Sequence, residues 1–104
     1  MIVRDWLRRK EIENFATDLA RDLGRRFPPA GEKRTDKGAS NQLAAISAGL
    51  RERGVGFSRT QGLGVYGKAK LGNSFRWQLK ELGYSEKFIE SVTHELVLSL
   101  TQGR

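Results

Sequence analysis

A glycine-rich segment near the middle of the chain has the spacing of a phosphate-binding turn. Residues 62–67 read Gly-Leu-Gly-Val-Tyr-Gly, which matches the pattern Gly-x-Gly-x-x-Gly, and Lys68 follows directly. In dinucleotide-binding folds such glycines let the backbone approach a pyrophosphate, but they do so between a β-strand and a helix. Here the flanking residues have helical spacing, so we expect a turn between two helices. Its backbone amides, with Lys68 and Lys70, remain candidates for contacting one phosphate of a larger ligand.

The residue types that usually carry catalysis are absent or isolated. The chain has no cysteine, which excludes disulfides, thiolate metal sites and a cysteine nucleophile. Its one histidine, His94, has no second ligand at metal spacing. No serine stands in a Gly-x-Ser-x-Gly elbow, and the carboxylates are interleaved with basic residues. The sequence therefore predicts a protein that is not an enzyme and that needs no metal or cofactor.

Positive charge is concentrated in one segment. The chain has 19 basic and 12 acidic residues, a net charge of +7. Residues 51–80 hold seven basic residues and one acidic residue, a net +6, whereas residues 1–50 carry +3 and residues 81–104 carry −2. A localised positive field attracts polyanions, and an exposed aromatic ring beside it can stack on an unpaired base. The candidate nucleic-acid-binding residues are Arg51, Arg53, Arg59, Lys68, Lys70, Arg76, Trp77 and Lys80.

The alternative hypothesis is a module for protein interaction or oligomerisation, with a basic face that is merely solvated. It depends on large apolar residues that fall outside the core stripes, and exposed together they would form an adhesive patch. These residues are Trp6, Leu7, Trp77 and Leu98. Trp77 distinguishes the hypotheses. An exposed ring among the lysines and arginines favours nucleic-acid binding, whereas a buried ring makes the basic segment ordinary surface.

The elements that must position these residues are helices. Apolar residues recur every three or four positions along most of the chain, which is the period of an amphipathic helix. No alternating pattern typical of a β-strand extends beyond a few residues. We therefore predict a single all-α domain over residues 1–104. It is a small bundle of three to four helices, at about residues 5–27, 40–61, 65–82 and 85–101.

Residues at the ends of these segments support the predicted bounds. Asp5 and Ser85 have side chains that commonly cap helix N-termini. Pro28 ends the first helix because proline disfavours helical backbone in the residue before it. Gly83 suits the left-handed position that follows a helix.

Two segments are harder to assign. Gly54 and Gly56 each weaken a helix by about 1 kcal/mol, yet the apolar stripe continues past them, so we expect the second helix to run on to Gln61. Residues 28–39 are polar and aperiodic, which predicts a long, mobile polar loop after the first helix. Residues 103–104 are expected to be a frayed end.

The apolar stripes of the predicted helices define the expected core. The core residues should be Ile12, Phe15, Leu19, Leu23, Leu43, Ile46, Leu50, Phe57, Leu71, Phe75, Leu79, Leu82, Ile89, Val92 and Leu96. The first ten residues mix charged and apolar types, unlike a signal peptide, and no run approaches the roughly 18 apolar residues of a membrane span. We expect a soluble, cytoplasmic protein with no membrane partner.

Residues 66–100 also show a local resemblance. They read as a helix, a stop-and-start segment at residues 82–85, and a second helix. This arrangement resembles the helix pairs of RecX-type recombinase regulators over about a third of the chain. The tandem repeats of that family are absent, and the resemblance brings no functional residue to this sequence.

Overall fold

The computed structural model describes the backbone of residues 2–102 and the side chains of residues 6–102. The four α-helices are α1 (Ile2–Arg26), α2 (Lys37–Gln61), α3 (Val65–Leu82) and α4 (Glu86–Gln102). A short 3₁₀ helix, Pro29–Lys33, lies between α1 and α2. The fold is all-α, as the sequence predicts, and the part of the chain described contains no strand. The frayed end predicted at residues 103–104 lies outside the described residues.

The connection between α1 and α2 is short, so the prediction of a long polar loop over residues 28–39 is wrong. Pro29 begins the 3₁₀ helix, because the fixed backbone angle of proline suits a first turn. α2 then begins at Lys37, because the Asp36 carboxylate accepts a hydrogen bond from the Ala39 amide at 3.0 Å. The Arg34 guanidinium pairs with the same carboxylate at 3.0 Å. An aspartate read as part of a loop is thus the cap of a helix.

The other helix ends follow the sequence with one exception. α1 begins at Ile2, so Asp5 lies within the first turns of the helix and the prediction that it is the N-cap is wrong. Ser85 caps α4 as predicted, since its hydroxyl accepts a hydrogen bond from the Phe88 amide at 3.2 Å. Gly83 ends α3 in the left-handed region, with φ of 98°. α2 continues through its two internal glycines to Gln61, which confirms the longer helix.

Successive helices run in opposite directions. α1 and α2 are antiparallel, since Phe15 stacks on Phe57 while Asp22, further along α1, pairs with Arg53, which is earlier in α2. α3 and α4 are antiparallel by the same criterion, since Gly72 lies against Val97 while Arg76 pairs with the earlier Glu90. α1 runs parallel to α3, since Glu13 pairs with Lys70 and Gly24 lies beside Leu82 further along both helices. It follows that α2 is antiparallel to α3 and runs parallel to α4.

The order of the helices around the bundle differs from their order in sequence. α1 packs mainly on α3, α3 on α4, α4 on α2, and α2 more loosely on α1. α2 and α3 are joined by a tight turn but make no extensive contact with each other. The bundle therefore has α1 and α3 side by side, and these two helices share one outer face.

The core lies between these four helices. The apolar side chains buried within it are Ile12, Ala16, Leu19, Ala20, Leu23, Phe27, Ala39, Ile46, Leu50, Leu63, Leu71, Phe75, Leu79, Tyr84, Ile89, Val92, Leu96 and Leu100. Phe15, Leu43 and Phe57 are only partly buried against this cluster. Leu82 is exposed, so its placement in the core is wrong. It is the last residue of α3, where the helix ends beside Gly24 of α1.

Two glycines let α4 approach its neighbours closely. A Cβ atom on Gly54 of α2 would lie 2.8 Å from the Cδ1 atom of Leu96. A Cβ atom on Gly72 of α3 would lie 2.5 Å from the Cγ2 atom of Val97. Both positions are buried and helical, so the absence of a side chain sets the spacing of the helices. None of the described helices is long and apolar enough to span a bilayer.

Candidate functional site

Trp77 stands on the outer face of α3. Its ring is 60% exposed, whereas Phe75 and Leu79 on the opposite face of the same helix are fully buried. The Nζ atom of Lys80 lies 5.5 Å from the centroid of the indole, within reach of a cation–π contact. Asn73 and Arg76 are the exposed neighbours one turn back and one residue back. We call these four residues (Asn73, Arg76, Trp77 and Lys80) the α3 ridge.

A groove borders the ridge on the side of α1. It has a volume of about 700 Å³. The helix α1 contributes Lys10, Glu13, Asn14 and Thr17 to its walls. The helix α3 contributes Lys70, Asn73, Ser74, Trp77 and Gln78. We call it the α1–α3 groove. It combines one aromatic ring, two lysines and several neutral hydrogen-bonding side chains.

Four of the predicted basic residues are bound to carboxylates of other helices. On α2, Arg51 pairs with Glu95 of α4 at 2.9 Å, and Arg53 pairs with Asp22 of α1 at 3.3 Å. The two arginines therefore brace opposite sides of α2 and do not share a face. On α3, Lys70 pairs with Glu13 of α1 and Arg76 pairs with Glu90 of α4, both at 2.9 Å.

The remaining three predicted basic residues differ in position. Arg59 is exposed near the end of α2, and Lys68 is half-buried in the first turn of α3. Lys80 is exposed on the α3 ridge. None of the three has a carboxylate within 4.0 Å among the described side chains. Both α2 and α3 therefore contribute paired and unpaired cations, and within residues 51–80 it is α3 that places a cation beside an exposed aromatic ring.

Ion pairs lower the pKa values of two carboxyl groups, those of Asp22 and Glu13. The hydrogen bond from Arg25, together with the charges of Arg26 and Arg53, lowers the pKa of the Asp22 carboxyl despite its burial. The hydrogen bond from Lys70 and its charge lower the pKa of Glu13. Both carboxylates are therefore ionised at neutral pH and hold α1 against its two neighbours.

The glycine-rich segment is a turn between helices, as expected. Gly62 ends α2 in the left-handed region with φ of 63°, and α3 begins at Val65. Leu63 is buried between them, and a Cβ atom on Gly67 would lie 3.0 Å from the Cδ2 atom of this leucine. The Arg8 guanidinium donates hydrogen bonds to the carbonyl oxygens of Gln61 and Gly62. Gly67 thus serves close packing against Leu63 and Gly62 serves the left-handed end of α2, and the segment follows a helix rather than a strand.

The predicted apolar patch is exposed but spread over the molecule. Trp6, Leu7, Trp77 and Leu98 are each exposed. Trp6 and Leu7 lie near the start of α1, Trp77 lies on α3, and Leu98 projects from α4, which makes no extensive contact with α1. Two further large side chains, Val65 and Tyr66, are 88% and 70% exposed in the first turn of α3.

Val65 and Tyr66 border a second groove, at the end of the bundle that carries the α2–α3 turn. It has a volume of about 710 Å³. Arg8, Arg9 and Ile12 of α1 form its opposite wall. We call it the turn-end groove.

The structure also locates residues that the sequence did not single out. Lys10, Asn14 and Thr17 of α1 follow each other at helical spacing, and Ser74 and Gln78 of α3 continue the spacing from the predicted Lys70. The two sets meet because α1 and α3 are parallel neighbours. The helical spacing within each set can be seen in the sequence. That the two sets lie side by side depends on which helices pack together, which the sequence does not reveal.

Groups that could hold a metal are not found in the described part of the chain. His94 is exposed on α4, and Glu90, one turn before it, accepts a hydrogen bond from Arg76. No family model matches the chain, and neither the curated proteins nor the solved structures include a significant match to it. The local resemblance to the RecX-type regulators therefore gains no support from these comparisons.

Proposed function

We propose that this protein is a non-catalytic nucleic-acid-binding module that uses the α3 ridge. The exposure of Trp77 beside Lys80 carries the proposal. Indole rings are usually buried by packing, whereas this one is exposed to water beside a cation. Its exposed ring face is the kind of surface on which bases stack. Arg76 and Lys80 supply charge for phosphates on the same face.

The ion pair of Arg76 with Glu90 does not count against this role. Both side chains are about half exposed, so their pair contributes little to stability and a phosphate can replace the carboxylate. The basic residues of α2 lack the other half of the site. Arg51 and Arg53 reach to different neighbouring helices and Arg59 lies near the end of α2, so the proposal narrows the basic segment 51–80 to its part on α3, which carries the exposed indole.

A salt titration with generic single-stranded and double-stranded DNA and RNA tests the proposal. The wild-type protein should bind at low salt and lose affinity steeply as salt rises, because bound cations release counterions from the polymer. The double variant Arg76→Gln/Lys80→Gln should bind more weakly, and its logarithmic salt slope should fall by about 1.5–2.

A matched control distinguishes the loss of this site from a mere loss of net positive charge. Lys37 and Lys87 are exposed on α2 and α4, away from the α1–α3 face, and Lys37→Gln/Lys87→Gln removes the same charge. This control should keep most of the affinity. The proposal fails if the wild type does not bind at low salt, or if both double variants lose affinity equally.

A second candidate function is self-association through the turn-end groove. Its support is the exposure of Val65 and Tyr66, two large apolar side chains that border an open groove. Sedimentation velocity over a range of protein concentrations tests it. A dimer that Val65→Asp abolishes would support self-association, and a monomer at every concentration would contradict it.

A further inference from the structure

We infer that the α1–α3 groove binds one unpaired nucleobase, stacked on Trp77, with its edge hydrogen-bonded to the amides of Asn73 and Gln78. The inference rests on the proposed function and names the substrate class of the same face: single-stranded nucleic acid rather than duplex. The groove is lined by several neutral hydrogen-bonding side chains, and binding of phosphate alone would not require them.

Side-chain amides are suited to base edges because each carries both a donor and an acceptor. Asn73 and Gln78 both line the groove with Trp77, and Asn14 faces them from α1. Among the described residues, the side chains of these three amides make no hydrogen bond within the protein. Their donors and acceptors are therefore available for a base edge, which displays the complementary pattern.

The position of Trp77 supplies the stacking surface. Lys80 lies over the ring, which leaves the other face of the indole for a planar ligand. The groove volume of about 700 Å³ falls within the range of pockets that take small organic ligands, so there is space for a single base.

Charge around the groove favours a polyanion on either side of the base. Glu13 is the acidic residue among those lining it, and Lys70 neutralises this carboxylate at 2.9 Å. Lys10, 3.9 Å from the same carboxylate, and Lys80 beside the ring leave the surroundings of the groove with an excess of positive charge for the flanking phosphates.

Base pairing would prevent this mode of binding. In a duplex each base is stacked on both faces and its Watson–Crick edge is occupied, so an indole on a helix ridge cannot reach a base face. Single strands present both the face and the edge. The groove should therefore bind single strands in preference to duplexes, whereas the contacts to phosphate should form with both.

The two tryptophans allow a direct test by fluorescence. Trp6→Phe leaves Trp77 as the only indole, and Trp77→Phe leaves Trp6, which is similarly exposed on α1. A mixed-sequence single strand should quench the emission of Trp6→Phe strongly and that of Trp77→Phe weakly. The matching duplex should quench neither.

Affinity measurements complete the test. Trp77→Ala should weaken single-strand binding by about tenfold, since one stacked base contributes on that order, while Trp6→Ala should not. Gln78→Ala, which lies in the groove but outside the α3 ridge, should weaken single-strand binding and leave duplex binding unchanged. Circular dichroism on each variant checks that the exposed substitutions leave the helices intact.

The outcomes separate this inference from the proposed function. Salt-dependent binding with equal affinity for single strand and duplex, and no quenching of Trp77, overturns the inference and leaves the proposed function standing. The absence of any binding at low salt overturns both. Preference for single strands with quenching confined to Trp77 supports both.

Discussion

Gly72 and Gly56 offer a matched test of how closely α3 and α4 are packed. Alanine favours a helix interior over glycine by about 1 kcal/mol at either position. At Gly56 nothing lies within 4 Å of the added Cβ atom, so the substitution should raise the free energy of unfolding by about that amount. At Gly72 the Cβ atom would lie 2.5 Å from the Cγ2 atom of Val97.

The clash at Gly72 should outweigh the gain in helix propensity. Valine has one strongly preferred rotamer in a helix, so its methyl group cannot simply turn away. Forcing an extra methyl group into a packed interface costs about 1–3 kcal/mol. Gly72→Ala should therefore be less stable than Gly56→Ala by about 1–3 kcal/mol, with the wild type between them or near the weaker variant.

Urea denaturation followed by far-ultraviolet circular dichroism measures this difference. Val97→Ala in the Gly72→Ala background should recover part of the loss, because it removes the clashing methyl group, and the double-mutant cycle isolates that term. If Gly72→Ala is as stable as Gly56→Ala, the close approach of α3 and α4 described here is incorrect.

Three further predictions concern the ties between helices. Tyr84 donates a buried hydrogen bond to the carbonyl oxygen of Phe27, and burial, with the charge of Glu32, raises the pKa of its phenol to about 12. Between about pH 10 and 12 the phenol therefore keeps its proton in the native state and loses it in the unfolded state, so the stability of the wild type should fall over this range. Tyr84→Phe should lack this fall and should lose about 1–2 kcal/mol of stability at neutral pH. Urea denaturation at a series of pH values measures both effects. The arginine contacts that lower the pKa of Asp22 stabilise the fold above about pH 4, and this contribution disappears as acid protonates the carboxyl. Asp22→Asn should therefore be less stable than the wild type at neutral pH, and its free energy of unfolding should fall less steeply in an acid titration. Ser85→Ala removes the cap of α4 and the hydrogen bond that the Ser85 hydroxyl donates to Glu32, and should cost about 1 kcal/mol. Ser85→Asn should keep most of this stability, because its amide can accept from the Phe88 amide and donate to Glu32; equal losses in thermal melts would exclude a capping role.

Periodicity was sufficient to predict the helices. The stripe that links Leu50 to Phe57 outweighed two glycines, and α2 does run on to Gln61. A helix survives internal glycine when its buried face is continuous, because tertiary packing provides most of its stability. The start of α2 was missed for a local reason. A single carboxylate on Asp36 fixes that end, and composition cannot tell a capping aspartate from any other polar loop residue.

The exposure of Trp77 was within reach of the sequence. Two residues along a helix correspond to about 200° of rotation, so Trp77 lies nearly opposite Phe75, which belongs to the core stripe. The candidate site as a whole was not predictable. The α1–α3 groove exists because α1 and α3 are neighbours, and that arrangement depends on contacts between residues far apart in sequence, such as Glu13 with Lys70, that no periodic pattern reveals.

The order of the helices around the bundle also bears on how quickly the chain can fold. α1 packs most extensively on α3, and α2 packs on α4, so an entire helix separates the partners of both contacts in sequence. Search time for a native contact grows with the length of chain that must close, and topologies rich in distant contacts fold more slowly than those built from adjacent hairpins. This bundle should therefore fold more slowly than a four-helix bundle of equal stability whose sequential helices pack side by side.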